Sequence, residues 1–203
     1  MFYGFVRTLL VIVVKLFYRY RIIGLENIPR KGPVIIAANH QSYLDPIMVA
    51  LAVKGRQVNF MGKASLFKIP VLGTIIKWLN TFPVKRGTAD KAAIAHSLKL
   101  LNSGEVLLIF PEGTRIRNGS LGKPYPGVTA MALKTGAPIV PLGIIGTDKV
   151  VPNGSKVPRF PKITVRVGKP INVEKTLAKG RKEKEEELTL KMMEEISKLV
   201  NGG

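Results

Sequence analysis

Pro33-Val34-Ile35-Ile36-Ala37-Ala38-Asn39-His40-Gln41-Ser42-Tyr43-Leu44-Asp45-Pro46 carries the reading of this chain. Its first six residues form an apolar run with the length and composition of a buried strand. Asp45-Pro46 reads as a helix start, with Asp at the cap and Pro at the first helical position. His40 therefore sits where a strand ends, on the turn into a helix, where a side chain can point into a cleft. The turn can fold Asp45 back onto the imidazole. An imidazole oriented by a carboxylate is the minimum equipment of a general base.

Outward from this stretch, strands alternate with helices. Further strands are expected over 20–28, 57–61, 105–110, 138–145 and 163–168. Helices are expected over 45–53, from a cap at Thr88 or Asp90 to Ser103 with Gly104 as its stop, and over 182–200. Ile94, Leu98 and Leu101 give the middle helix a core stripe, which leaves His96 on its solvated side. Leu188, Met192 and Ile196, with Leu199 or Val200, give the last helix one apolar face. The alternation predicts an α/β fold, a single mixed-sheet domain flanked by helices over 21–203, with its motifs between about 33 and 145. No repeat or linker divides the chain.

Composition narrows the chemistry. Hydrophobic residues make up 46%, enough for a packed core. The absence of cysteine rules out disulfides, zinc ribbons and cysteine nucleophiles. With two histidines and no H-E-x-x-H, a histidine-rich metal site is not available, and no metal is expected. Thirty-two Lys and Arg against 13 Asp and Glu give a formal charge of +19, so the partner should be anionic. Nucleic acid, anionic lipid, a phosphorylated substrate or an acidic carrier protein would each qualify.

Residues 1–20, MFYGFVRTLLVIVVKLFYRY, are apolar and aromatic. A signal peptide would need a small-residue cleavage site, and Leu16-Phe17-Tyr18-Arg19-Tyr20 follows instead. A spanning helix needs about 20 apolar residues, and Arg7 and Lys15 interrupt this one. Arg7, Lys15 and Arg19 fall on one side at helical spacing. The pattern predicts an N-terminal amphipathic helix lying in the membrane interface, with its basic groups among lipid head groups. The alternative is a core helix packed on its own domain. A second mixed patch runs from Leu66 to Leu79 and carries the only Trp, Trp78, among lysines. It is a lipid-facing element, an ordinary helix burying Ile75, Ile76 and Leu79, or both.

Three more segments carry chemistry. Phe110-Pro111-Glu112-Gly113-Thr114-Arg115-Ile116-Arg117 follows a buried strand, where α/β folds place ligands. Gly113 permits a tight turn, and Arg115 offers a planar fork suited to phosphate. Phe82-Pro83-Val84-Lys85-Arg86-Gly87 sets two cations beside a glycine, and Lys63, just after the 57–61 strand, is a further cation. Ala137-Pro138-Ile139-Val140-Pro141-Leu142-Gly143-Ile144 looks mainly structural, a strand whose prolines restrict pairing.

In this order and spacing the four segments resemble the glycerolipid acyltransferase family, most of all its bacterial members acting on 1-acyl-sn-glycerol-3-phosphate. The family's H-x4-D motif is met by His40 and Asp45, its second motif by Phe82 to Gly87, F-P-E-G-T-R by Phe110 to Arg115, and V-P-x-x-I by Val140, Pro141 and Ile144. The resemblance covers roughly residues 20 to 170. It implies direct transfer from an acyl thioester to the sn-2 hydroxyl of lysophosphatidate, giving phosphatidic acid. Glycerol-3-phosphate or another lysophospholipid is the alternative acceptor. His40 would be the base and Asp45 its orienter. Arg115 and Lys63, with Lys85 or Arg86, would hold the acceptor phosphate beside Gly113 and Thr114. Glu112 would orient an arginine or the glycerol hydroxyl. The resemblance implies no cofactor, acyl-CoA or acyl carrier protein as donor, and a monotopic place on the cytoplasmic face of the membrane. One departure is Gly122-Lys123-Pro124-Tyr125-Pro126-Gly127, where two prolines stiffen a loop that leads into a helix in the family.

The competing classes are weaker. No basic helix with interleaved aromatics supports nucleic-acid binding. Val128-Thr129 stands where a phosphate-binding loop requires Lys-Ser/Thr, and no G-x-S-x-G marks a serine hydrolase. A non-catalytic membrane- or polyanion-binding protein would leave the His40–Asp45 pair without a purpose.

Overall fold

The computed structural model describes residues 8, 11, 12, 14, 16–85, 87, 90–116, 120–152, 154, 155, 157–176 and 181–202. The apolar run after Pro33 is β2 (Val34–Ala38), buried along its whole length. Around it lie β1 (Arg21–Ile23), β3 (Val58–Lys63), β4 (Thr81–Val84), β5 (Val106–Ile109), β6 (Ile139–Ile145) and β7 (Thr164–Val167). Among the described residues these make one sheet in the order β1-β7-β6-β2-β5-β3-β4. Every neighbouring pair is parallel except β6 with β7, so the sheet is mixed as expected.

Because successive side chains on a strand point to opposite faces, a strand buried on both sides must be apolar throughout. Val34, Ile36 and Ala38 enter one core, with Val106, Leu108, Val140, Leu142 and the helix α1 (Asp45–Ala52). Ile35 and Ala37 enter the other, with Leu107, Ile109 and Ile139. That second face is covered by α3 (Lys91–Asn102), α4 (Gly127–Thr135) and α5 (Arg181–Asn201) through Leu101, Met131, Met192 and Ile196. The short α2 (Leu72–Trp78) crosses between β3 and β4. Asp90 caps α3 by accepting the N–H groups of Ala92 and Ala93, as its sequence signal predicts. Its other oxygen accepts the Lys85 N–H, which ties the end of β4 to α3. These bonds, that from Lys85 first, hold its carboxyl below the usual aspartate range.

Several expectations change. The first strand is shorter than 20–28: Gly24, at φ 77°, ends it, and a 3-10 turn over Leu25–Asn27 follows. Lys63 is the last residue of β3 rather than the first beyond it. The segment read as a cationic loop at 82–87 begins as β4, at the sheet edge, where Pro83 can be tolerated without an N–H. In β6, Pro141 lies inside the sheet, and Pro138 just precedes the strand. Gly168 N–H donates to Pro141 O at 2.9 Å, and the reciprocal bond is missing because proline has no N–H, so the ladder with β7 stops there. Helix α4 is not among the helices read from the chain's own pattern; only the resemblance places a helix after the 122–127 loop. Of the residues that an ordinary helix over 66–79 would bury, Ile75 is exposed and Ile76 and Leu79 are half-buried, and α2 fully buries only Gly73.

Of the N-terminal segment, Thr8, Val11, Ile12, Val14, Leu16 and Phe17 have helical backbone. Val14 is buried in the α1-side core, while Ile12, Leu16 and Phe17 are exposed. Arg7 and Lys15, on which the amphipathic pattern rests, lie outside the described residues, as does Thr88. No helix among the described residues is long and apolar enough to cross a membrane.

The closest packing between layers is at Gly143 on β6. A Cβ there would lie 2.7 Å from the Leu199 carbonyl carbon, so α5 can settle on the strand only because this position has no side chain. Overpacking a buried contact typically costs about 1–3 kcal/mol. Gly143→Ala should therefore lower Tm by several degrees in a thermal melt. Gly127→Ala, where an added Cβ meets nothing, should not.

Candidate active site

The sheet gathers the chemistry at one edge. β2, β3, β4, β5 and β6 run parallel, so their C-terminal ends lie together. His40, Lys63, Lys85, Glu112 and Thr147 are at or within three residues of those ends. Asn39 opens the site. Its side chain accepts the Ile144 N–H at 2.7 Å and donates to Ile144 O at 2.9 Å, copying the backbone pairing that ends at Ala38–Leu142. A side chain thus continues the ladder while the main chain turns away with His40.

The turn from His40 to Asp45 is organised by one carboxylate. Asp45 is fully buried. Leu44 is the helix cap, Asp45 the first helical residue, and no side-chain bond caps the helix. This corrects the expectation of an Asp cap: the carboxylate points back into the turn instead. Its Oδ2 accepts the N–H groups of Gln41 and Ser42, both at 2.7 Å, and faces His40 Nδ1 at 2.9 Å. Its Oδ1 accepts the Thr147 hydroxyl at 2.6 Å. A carboxylate can only accept at Nδ1, so the neutral imidazole carries its proton there and presents a bare Nε2. The ring stacks on Phe110, centroids 3.9 Å apart at 14°.

Of the two roles expected of Glu112, orienting an arginine is not seen. Its Oε1 accepts the His40 N–H at 3.0 Å and its Oε2 accepts the Gly122 N–H at 2.9 Å. With both oxygens taken by backbone, it forms no ion pair with Arg115. It clamps the histidine's main chain to the loop after Gly122. Burial pushes its carboxyl above the usual glutamate value, and the His40 and Gly122 N–H groups oppose that shift. The same loop is fastened by Tyr125 N–H to Pro111 O at 2.8 Å. Gly113, at φ 64°, lies under the Tyr125 ring, where a Cβ would approach to 2.9 Å. The two-proline loop is therefore a fixed wall of the site, with Lys123 turned to solvent.

His40 and Glu112 line a cavity of about 750 Å³. Its walls are mostly apolar, with Phe60 and Met61 from β3, Ile94 from α3, Leu108 from β5 and Met131 from α4. Lys85, Gly113 and Thr114 also border it, whereas Lys63 and Arg115 do not. Lys63 is exposed, and Arg86 lies outside the described residues. Arg115 stands on the side of the His40–Asp45 turn, its guanidinium 3.5 Å from the centre of the Tyr43 ring. The next residue fixes it there, because Ile116 N–H donates to His40 O at 2.8 Å. Arg115 Nη1 is buried and, among the described residues, has no hydrogen-bond partner. A buried guanidinium nitrogen without a partner is costly unless an anion completes it. Among the described residues no group of three His, Asp or Glu could hold a metal ion.

Asn39 and Thr147 were not recognised from sequence. A polar residue straight after the buried β6, at the same edge as His40, was the available signal for Thr147. Thr147→Val removes the one donor to Asp45 Oδ1 and leaves a buried acceptor unmet, a loss of about 1–3 kcal/mol. If that loss falls on the dyad, kcat should drop roughly tenfold with both KM values unchanged, since 1.4 kcal/mol is a factor of ten. Thr147→Ser should restore most of the rate. A change in KM with kcat intact would place Thr147 on the substrate rather than on Asp45.

A model of the acyltransferase family matches residues 19–145. The chain is 34% identical over 160 residues to the chloroplastic 1-acyl-sn-glycerol-3-phosphate acyltransferase of Arabidopsis thaliana, covering 77% of this chain and 44% of that one. It is 27% identical over 199 residues to the 1-acyl-sn-glycerol-3-phosphate acyltransferase of Bacillus subtilis, covering 98% and 97%. The chain thus spans less than half the length of its plant relatives and nearly all of the bacterial one. The crystal structure of the 1-acyl-sn-glycerophosphate acyltransferase PlsC from Thermotoga maritima matches with a TM-score of 0.73 at 28% identity, over 92% of this chain and 73% of that one. The family model runs from just before β1 to the last residue of β6 and takes in all four motif segments, with the His40–Asp45 turn among them; the chain belongs to the acyltransferase family.

Proposed function

We propose that this protein transfers an acyl chain from an acyl thioester to the sn-2 hydroxyl of 1-acyl-glycerol-3-phosphate, giving phosphatidic acid. The observation that carries the reading is the pairing of His40 with the buried Asp45 on the wall of a mostly apolar cavity, together with an arginine whose buried Nη1 lacks a partner among the described residues. The names of the relatives in Arabidopsis thaliana and Bacillus subtilis and of the Thermotoga maritima structure support the choice of acceptor.

In this mechanism His40 Nε2 takes the proton of the acceptor hydroxyl as its oxygen attacks the thioester carbonyl. Asp45 holds the tautomer and stabilises the imidazolium that forms. The tetrahedral intermediate collapses with loss of the thiolate, which takes the proton back from the imidazolium. The ester forms, the thioester breaks, and the histidine is regenerated. No protein nucleophile or cofactor is needed. The acyl chain lies in the cavity, whose volume is that of sites that enclose small ligands. Arg115 takes the acceptor phosphate, and Lys85 at the cavity rim is the second cation. Lys63, outside the cavity, remains a candidate for the same phosphate, and so does Arg86, which lies outside the described residues. The donor is acyl-CoA or acyl carrier protein, both anionic and both suited to a chain of +19. The protein works as a peripheral, monotopic enzyme on the cytoplasmic face of the membrane, with residues 1–20 as one point of attachment.

The direct test is product identification. Labelled acyl-CoA and acyl carrier protein are offered with lysophosphatidate, glycerol-3-phosphate and a neutral lysophospholipid. The expected product is phosphatidic acid, and a folded His40→Ala variant should lose about 10²–10⁴-fold or more of the rate. Turnover close to normal in that variant would sink the mechanism. Product from glycerol-3-phosphate alone would move the acceptor assignment.

Arg115→Ala should raise the acceptor KM roughly tenfold or more, because charge-assisted bonds contribute about 1.5–3 kcal/mol each. Arg115→Lys should rescue only part, since an ammonium cannot reproduce the planar fork. The contrast to measure is acceptor KM against donor KM in the same variants. A rise confined to the donor would assign Arg115 to the donor's phosphates instead.

A further inference from the structure

We propose that residues 69–78 form a lipid-inserting wedge that seats the enzyme on an anionic bilayer; this deepens the reading of a membrane-borne acceptor and rests on it. Helix α2 turns its glycine inward. A Cβ on Gly73 would lie 2.9 Å from the Phe67 carbonyl carbon, so the helix packs backbone to backbone on the 3-10 turn over Ala64–Lys68. Its apolar side chains consequently face outward. Leu72, Ile75 and Trp78, three residues apart along one side, are all exposed, and Trp78 is 55% exposed.

The tip is Val71, 73% exposed. It adopts φ 64° and ψ −57°, and Leu72 N–H donates to Pro70 O at 2.7 Å. That is a γ-turn of the strained hand, with a β-branched residue at its centre. A strained turn that holds a valine out in water gains nothing from the protein interior, but it makes sense if the valine enters lipid. Ile69 is exposed beside it.

Charge selects the occupant. Between Asp45 and Asp90 the sequence holds no Asp or Glu, against seven Lys and Arg. Lys68 and Lys77 flank the wedge and are exposed. An apolar tip ringed by lysines matches hydrocarbon beneath anionic head groups.

Trp78 is the only tryptophan, so its fluorescence reports the wedge without any label. The full chain is mixed with phosphatidylcholine vesicles, with vesicles also containing phosphatidylglycerol, and with both types carrying brominated acyl chains. Cosedimentation is measured in parallel. The expected result is a blue shift and bromine quenching on the anionic vesicles. Val71→Asp should weaken vesicle binding roughly tenfold or more. Val71→Gly, which relieves the turn, should fold well and show reduced quenching. Both variants should keep the wild-type rate on a short-chain, water-soluble acceptor, so that a failed wedge and a failed acyltransferase reading are distinguished. A chain that cosediments with anionic vesicles while Trp78 stays unquenched overturns the proposal. So does a blue shift that depends on protein concentration without lipid, which would make the occupant a second copy of this chain.

Discussion

Asp45 has no access to water, and among the described residues its carboxyl group meets four polar groups: the His40 ring, the Gln41 and Ser42 N–H groups and the Thr147 hydroxyl. A polar group taken into the interior is costly unless hydrogen bonds meet it. The Gln41 and Ser42 N–H groups come from the turn itself, which they hold in shape. The imidazole comes from its start, and the Thr147 hydroxyl from the segment after β6, the strand paired with β2. Satisfying this single carboxyl group therefore fixes the turn, the tautomer of His40 and the distance between β2 and the segment after β6.

The rest of the site is arranged around the same turn. Asn39 keeps β2 and β6 paired through a side chain while the main chain departs. Glu112 holds the histidine's N–H and Ile116 holds its carbonyl, so the residue is bracketed by the loop after β5. That loop sets Arg115 against Tyr43 of the turn, while His40 and Glu112 border the apolar cavity. The base therefore has both an anion-seeking arginine and a greasy pocket near it, which the proposed reaction needs.

Much of this was legible in the residues because it is encoded locally. The uninterrupted apolar runs at 33–38 and 106–110 have the composition of strands buried on both faces. Asp90 announces α3 three residues before its first buried side chain, and Met192 and Ile196 set the inner face of α5. What stayed hidden depends on partners distant in sequence. Nothing near Thr147 or Asn39 reveals that they face residues about a hundred positions away. Glu112, expected to orient an arginine or the glycerol hydroxyl, is held by two backbone donors, one of them 72 residues away. Helix α4 was missed because two prolines and a glycine precede it, and its stripe of Val128, Met131 and Ala132 is short. The cations at 85 and 86 drew attention away from Thr81–Val84 as a strand, although an edge position excuses its proline.

The bonds from Asn39 to Ile144 and from Thr147 to Asp45 span 105 and 102 residues. The entropy of closing such a loop must be overcome before either bond can form. A growing chain thus carries its histidine, its carboxylate and its arginine long before it can use them, because the strand that completes their setting is made later. Competence arrives with the docking of β6, and an incompletely folded chain holds the residues of a catalyst without being one.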